Sequence, residues 1–205
     1  MVAARLGLTY LDTGAMYRSV ALHCLRKGVD PCDGTAAEEV AQTLRFRFAP
    51  SPDGSQRIEV NEEDVTEAVR SPEVAAASSR VAVHAGVRRE MVAVQQRLAA
   101  QGGVVMEGRD IGTVVLPSAD LKVFLTASAE TRARRRCLEL SARGTPQPLS
   151  EVLAQIEERD RRDQEREDSP LRPAQDAVIV NTDGLSVEEV VERIVALARE
   201  RERSE

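Results

Sequence analysis

Leu11-Asp-Thr-Gly-Ala-Met-Tyr-Arg18 joins two kinds of sequence. Before and into it, Leu8 to Leu11 is a short apolar run that predicts a strand; after it, Ala15 to Arg26 reads as a helix closed by Gly28. Asp12-Thr13-Gly14 forms the turn between them. A strand end meeting the first turn of a helix is where open α/β sheets bind ligands. This junction carries a hydroxyl in Thr13, a phenol in Tyr17 and a guanidinium in Arg18. Taken alone, Asp12-Thr13-Gly14 is most simply a turn with a helix cap, and Tyr17 with Arg18 reads equally well as a surface pair.

On the N-terminal side, Met1 to Leu6 has the character of the last turns of a helix, stopped by Gly7. On the other side, Thr35 and Glu38 predict a capping box opening a helix to about Leu44. Phe46–Ala49 and Arg57–Val60 predict a hairpin across the turn-rich Ser51-Pro-Asp-Gly-Ser55. Ser71-Pro72 predicts a cap with proline in the first helical position, and a long helix from about Val87 to Ala100 stops at Gly102-Gly103. From there the pattern becomes strand, glycine turn, strand, helix. Val104–Met106 and Leu121–Leu125 are short apolar runs of the kind found in buried parallel strands. Ala129–Ser141 is a helix, Arg143–Pro148 a loop, and Ser150 the cap of a very polar helix reaching about Arg166. Val178–Val180 is a last strand, and Ser186 with Glu189 caps the final helix. Strands alternating with helices predict an α/β fold with a parallel sheet covered by helices on both faces. Residues 30–100, which hold the hairpin, read as an insertion.

The chain has 205 residues, enough for one domain with inserts or two small lobes. No apolar run approaches the roughly 18 to 20 residues that a membrane helix needs. The formal net charge of −6 gives no reason to expect a nucleic-acid coat protein, and with no Trp, three Phe and two Tyr, stacking platforms for single strands are scarce. Cys24, Cys32 and Cys137 form no CxxC pair and no signal-peptide pattern is visible, so a cytoplasmic protein with reduced thiols is expected. His23 and His84 have no partner at metal-ligand spacing. All of the 28 basic residues except Lys27 and Lys122 are arginine. The planar guanidinium fork suits phosphate, although a GC-rich genome produces the same excess with no function attached.

Two further clusters carry chemistry. Glu107-Gly-Arg-Asp-Ile-Gly112 follows a predicted strand and offers a guanidinium and a carboxylate on a loop freed by two glycines. Glu157-Glu-Arg-Asp-Arg-Arg-Asp-Gln-Glu-Arg166 sets Arg159, Asp163 and Arg166 at spacings of four and three, on one helix face. The simpler reading of the second is a solvated helix laced with ion pairs. An RNA-binding arginine helix is opposed by the five acidic residues in the same run.

In order and spacing these stretches closely resemble the bacterial cytidylate kinases, nucleoside monophosphate kinases of the P-loop fold. The resemblance rests on Leu11-Asp-Thr-Gly-Ala-Met-Tyr-Arg18, Asn61-Glu-Glu-Asp-Val-Thr66 with Ser71-Pro-Glu-Val74, Val87-Arg88, Gly108-Arg-Asp-Ile-Gly-Thr-Val-Val115, and Arg159 to Arg166. It runs from about residue 5 to 200. It implies a parallel sheet with helices on both faces, a core kinase domain over 1–29 and 101–205, a monophosphate-binding insertion over 30–100 and a lid over about 134–166. The implied reaction is ATP-dependent, Mg²⁺-assisted phosphoryl transfer to CMP and dCMP, giving CDP and dCDP. By the same resemblance, Thr13, Arg88 and Asp110 read the cytosine, and Arg159 and Asp163 lie near the ribose. Tyr17, Arg18, Arg109 and Arg166 surround the monophosphate, with Arg109 and Arg166 as the catalytic arginines. Such a transfer brings two anionic groups together, so catalysis is largely alignment and charge neutralisation, and a closing lid excludes water. The expected partners are CMP, dCMP and ATP, without nucleic acid or membrane, and the expected state is a cytoplasmic monomer.

One departure from the pattern is large. P-loop kinases hold the ATP phosphates on GxxxxGK[ST] between a strand and a helix, and the sequence contains no such motif. Its two lysines lie in Arg26-Lys27-Gly28 and Leu121-Lys122-Val123. Met1–Leu6 matches the tail of the helix that follows the loop in the family. An apolar strand and the loop are therefore expected to be encoded upstream of Met1, and the chain as written is expected to be a poor kinase and an unstable fold. The alternatives are a non-catalytic nucleotide-binding fragment and, from another class, an RNA-binding module.

Overall fold

The computed structural model describes residues 1–50, 56–165 and 167–203. They fall into two compact units, one of Gly7–Ile111 and one of Met1–Leu6 with Gly112–Glu205. In chain order the elements are α1 (Val2–Leu6), β1 (Thr9–Asp12), α2 (Thr13–Arg26), α3 (Gly34–Gln42), β2 (Phe46–Pro50), β3 (Gln56–Val60), β4 (Glu63–Asp64), α4 (Pro72–Val81), α5 (Ala85–Ala99), β5 (Val104–Glu107), β6 (Val123–Thr126), α6 (Ala129–Ala142), α7 (Leu149–Glu165), β7 (Val178–Asn181) and α8 (Val187–Glu202). Parallel pairing occurs in both units, β1 with β5 in the register Asp12↔Glu107 and β6 with β7 in the register Thr126↔Asn181. The alternating strand and helix pattern is thus an α/β fold. No helix among the described residues is long and apolar enough to cross a membrane.

In the Gly7–Ile111 unit, α2 is the hub. Asp12 has extended backbone angles and its carboxylate accepts from the Ala15 N–H at 2.9 Å, so the helix begins at Thr13, earlier than the sequence suggested. Met16, Val20, Ala21 and Cys24 face inward from α2 and pack with Val40 of α3 and Val81 of α4. That cluster supplies the unit's hydrophobic stabilisation.

The expected Thr35–Glu38 capping box does not form. Asp33 caps α3 instead, accepting from Ala36 N at 3.0 Å, while Glu38 turns to Arg89 of α5 at 2.8 Å. Asp is at least as good a cap as Thr, and this leaves Glu38 for a long-range partner. β2 and β3 pair antiparallel with Phe46 opposite Val60, as the hairpin reading required; its turn, 51–55, lies outside the described residues. A third strand, β4, follows Asn61 and Glu62, whose φ values of 51° and 70° make a tight reversal with two left-handed residues. The usual signal for such a turn is a glycine in second place, and Glu62 hides it. Ser71 caps α4 as predicted, with Pro72 in the first turn and Val74 N donating to Ser71 Oγ at 3.2 Å.

In the other unit, Arg5 of α1 binds Glu188 and Glu192 of α8, the latter at 2.6 Å. Ile111–Val115, which begins at the last residue of the Gly7–Ile111 unit, forms one π-helical turn that the sequence reading did not anticipate. Ala133 and Leu140 of α6 pack against Val152 of α7. Ser150 does not cap α7: the helix starts at Leu149, and Pro148 O takes the first intrahelical bonds from Glu151 N and Val152 N, each at 3.1 Å. Pro148 therefore occupies the capping place and Ser150 lies within the first turn. The Ser186–Glu189 box of α8 is present in both directions.

Candidate functional site

Because β1 and β5 are parallel neighbours, their C-terminal ends present Asp12 and Glu107 side by side, and the two glycine-bearing loops leave the sheet together. Thr13, 3% exposed, donates its hydroxyl proton to Glu107 O at 2.6 Å. The hydroxyl oxygen then remains only as an acceptor. Gly108 makes this approach possible, since a Cβ there would lie 2.4 Å from Thr13 Oγ1. Asp12 divides its carboxylate between the α2 cap and Arg18, whose Nη2 donates at 2.8 Å; Arg18 Nε is buried without a hydrogen-bond partner.

Beside this lies the most enclosed charge pair among the described residues of the unit. Arg88, 3% exposed, points from the first turn of α5 and ion-pairs with Asp110, 6% exposed. The guanidinium also donates to Ala82 O at 3.3 Å, stands 5.8 Å from the centroid of the Tyr17 ring, and keeps its Nε buried without a partner. Gly86 lets α5 start here, because a Cβ at that position would collide with the Glu38 carboxylate that binds Arg89. A buried guanidinium beside a carboxylate presents donor and acceptor capacity together on one face of Tyr17, which suits the edge of a planar heterocycle.

Arg109 is exposed between Glu107 and Asp110 in the chain, and its charge pulls the Glu107 pKa down. The net direction for Glu107 is nonetheless upward: loss of solvent around the carboxyl outweighs the Tyr10 hydroxyl bond and the nearby arginines. The residue as a whole remains exposed, so the crowding is local to the carboxyl. Tyr10 is pushed far above the usual phenol range by burial and then by Glu107, and stays a neutral donor.

The structure thus gathers Thr13, Tyr17, Arg18, Arg88 and Asp110 around the ends of β1 and β5, with Arg109 on the connecting loop. Arg159 and Asp163 belong to the other unit, on α7, with charged atoms 3.8 Å apart across one helical turn. Arg166 lies outside the described residues. Sequence reasoning missed Asp12, Glu107, Tyr10 and Gln56 as members of this cluster. Asp12 and Arg18 are six residues apart, a separation that no helical spacing rule flags.

The family model for cytidylate kinase matches residues 1–200. The chain belongs to the cytidylate kinase family. It is 45% identical over 204 residues to a cytidylate kinase of Geobacter sulfurreducens, covering the whole chain and 87% of that protein. It is also 53% identical over 198 residues to a bifunctional pantoate ligase/cytidylate kinase of Prochlorococcus marinus, covering 96% of this chain and 41% of that protein. A protein of the same description from a Synechococcus strain is 52% identical over 200 residues, 97% of this chain and 41% of the relative. The chain therefore spans about two-fifths of the length of these bifunctional relatives.

Cytidylate kinases have the P-loop nucleoside monophosphate kinase fold, to which the α/β arrangement with parallel pairing conforms. The residues present do not, however, fit the phosphates of ATP. No GxxxxGK[ST] occurs in the sequence; Lys27 terminates α2, and Lys122 is held by Asp176 at 2.7 Å. Among the described residues no group of three or more His, Cys, Asp or Glu could hold a metal ion.

Proposed function

We propose that this chain acts in ATP-dependent phosphoryl transfer to CMP and dCMP, yielding CDP and dCDP, and that it supplies the binding site for the acceptor nucleotide. The observation that carries this reading is the buried Arg88–Asp110 pair against Tyr17. Cytosine presents an amine donor at position 4 and acceptors at N3 and O2, so Asp110 and the Thr13 hydroxyl oxygen meet the donor while Arg88 meets the acceptors. Uracil reverses N3 and position 4 and leaves buried polar groups mispaired, which is costly.

Arg18, Arg109 and Arg166 neutralise the monophosphate dianion, with Tyr17 beside it, and Arg159 and Asp163 serve the ribose. Bringing a second phosphate chain up to CMP requires that neutralisation, and arginine forks provide it without a nucleophilic side chain. Residues 30–100 form the monophosphate-binding insertion of a core made of 1–29 and 101–205, and about 134–166 forms the lid. ATP with Mg²⁺ is the donor, and the setting is a cytoplasmic monomer that engages neither nucleic acid nor membrane.

Calorimetric titration with CMP, dCMP, UMP and cytidine tests the acceptor site. CMP is expected to bind at least tenfold more tightly than UMP, and equal affinities would refute the base assignments. A second reading, favoured by the absence of the glycine-rich motif from these 205 residues, is that the chain binds CMP without turning it over. CDP formation with Mg-ATP separates the two.

A further inference from the structure

We propose that Gln56 is a positioning residue for Arg18, and that it couples the inserted sheet to the phosphate side of the acceptor site. The proposal rests on the reading of Arg18 as a phosphate ligand. In a parallel pair, the N–H and C=O groups of successive residues point alternately to the two sides of a strand. Thr9 N donates to Gly103 O at 2.8 Å, so the odd-numbered residues of β1 face β5. The even-numbered ones, Tyr10 and Asp12, turn their backbone groups to the opposite edge, where among the described residues no strand pairs with β1.

The side-chain amide of Gln56 fills that edge. Its Nε2 donates to Tyr10 O, and its Oε1 accepts from Asp12 N at 3.3 Å. One planar amide thus does what the N–H and C=O of a single residue on a neighbouring parallel strand would do, satisfying an acceptor and a donor two residues apart. Gln56 is itself the first residue of β3, paired with Pro50 of β2, so the bond runs from the inserted sheet to the residue preceding Thr13.

Asp12 is the element through which this contact acts. Its backbone N–H is held by Gln56, and its carboxylate holds both the start of α2 and the Arg18 guanidinium. Releasing the Asp12 backbone lets the carboxylate drift, and the guanidinium it orients drifts with it. Arg88 is held instead by Asp110 and by Ala82 O, contacts distinct from the Gln56–Asp12 bond. The side chain that the Asp12 carboxylate orients is Arg18, so the effect is expected to be larger for ligands that carry a phosphate than for those that do not.

Gln56→Leu removes both bonds. Gln56→Glu preserves the size and the acceptor for Asp12 N–H, but once ionised it sets an acceptor against Tyr10 O. Each variant of the 205-residue chain and the wild type would be titrated with CMP and with cytidine, and their thermal unfolding recorded. The expected result for both variants is a CMP dissociation constant at least fivefold higher, with the cytidine constant within twofold of wild type. A folded variant that binds CMP as wild type does would overturn the proposal. Equal weakening of CMP and cytidine would also overturn it, since that marks a purely structural role. If Gln56→Leu does not fold, Gln56→Glu alone decides between these outcomes. Failure of the wild type to bind either ligand would refute the acceptor-site reading itself, and is thereby distinguished from failure of the Gln56 link.

Discussion

Asp110→Ala separates recognition from stability only when it is read in a cycle with Arg88→Met. The Arg88 and Asp110 side chains are 4% and 7% exposed, so the pair is almost dry. Removing the carboxylate leaves a buried guanidinium with one backbone acceptor, Ala82 O, and the Tyr17 ring. Breaking one side of a buried pair costs about 3–5 kcal/mol, whereas replacing both sides with apolar groups of similar volume is often close to neutral. For a protein of this length each kcal/mol moves Tm by about 2–4 °C, so each single variant is expected to lose roughly 6–20 °C. The double variant is expected to recover most of that loss, with a coupling energy of at least about 2 kcal/mol. Urea unfolding of the four proteins measures the coupling, and CMP and UMP titrations of the recovered double variant then show whether base preference has gone while the fold remains. Additivity of the two single variants within about 0.5 kcal/mol would refute the buried-pair argument. Retention of CMP preference by a folded double variant would refute the recognition argument.

Arg18→Ala is expected to weaken CMP by about 10- to 150-fold, the loss of one charge-assisted contact of about 1.5–3 kcal/mol, and to leave cytidine nearly unchanged; calorimetry with both ligands checks it. Gly108→Ala forces a methyl group to within 2.4 Å of Thr13 Oγ1 and 2.8 Å of Ile111 Cδ1, so a loss of about 1–3 kcal/mol in urea unfolding is expected, with weaker CMP binding. The folded pKa of Glu107 lies above its unfolded value, chiefly through loss of solvent around the carboxyl. The stability it contributes is thus complete below the ordinary carboxylate range and is lost as pH rises through the raised folded value. Glu107→Gln removes this slope, so its Tm relative to wild type should rise as pH increases from the ordinary carboxylate range; solvent screening at this exposed residue keeps the gain small, and a falling difference would contradict the sign.

Local chemistry was legible residue by residue. The caps at Ser71 and Ser186, the stop at Gly28 and the strand character of Val104–Met106 and Val178–Val180 all depend on groups within about four positions, and the structure repeats them. The order of the motifs was enough to point to the family, because each motif is a local device for a strand end or a helix start. Local rules failed where a distant partner competed. Glu38 suited a capping box but lies within reach of Arg89, 51 residues away, and Asp33 took the cap instead. The Asn61-Glu62 reversal lacked its usual glycine because strand pairing on either side holds those residues in place.

At the site, residue type and spacing singled out Thr13, Tyr17, Arg18, Arg88, Arg109 and Asp110. They did not reveal that Arg88 and Asp110, 22 residues apart, satisfy one another, or that Gln56 completes the edge of β1 from 44 and 46 residues away. Such pairings are chosen by burial. A charge or an amide removed from water takes whichever complementary group the packing of other elements brings within reach, and that choice is absent from any short stretch of sequence.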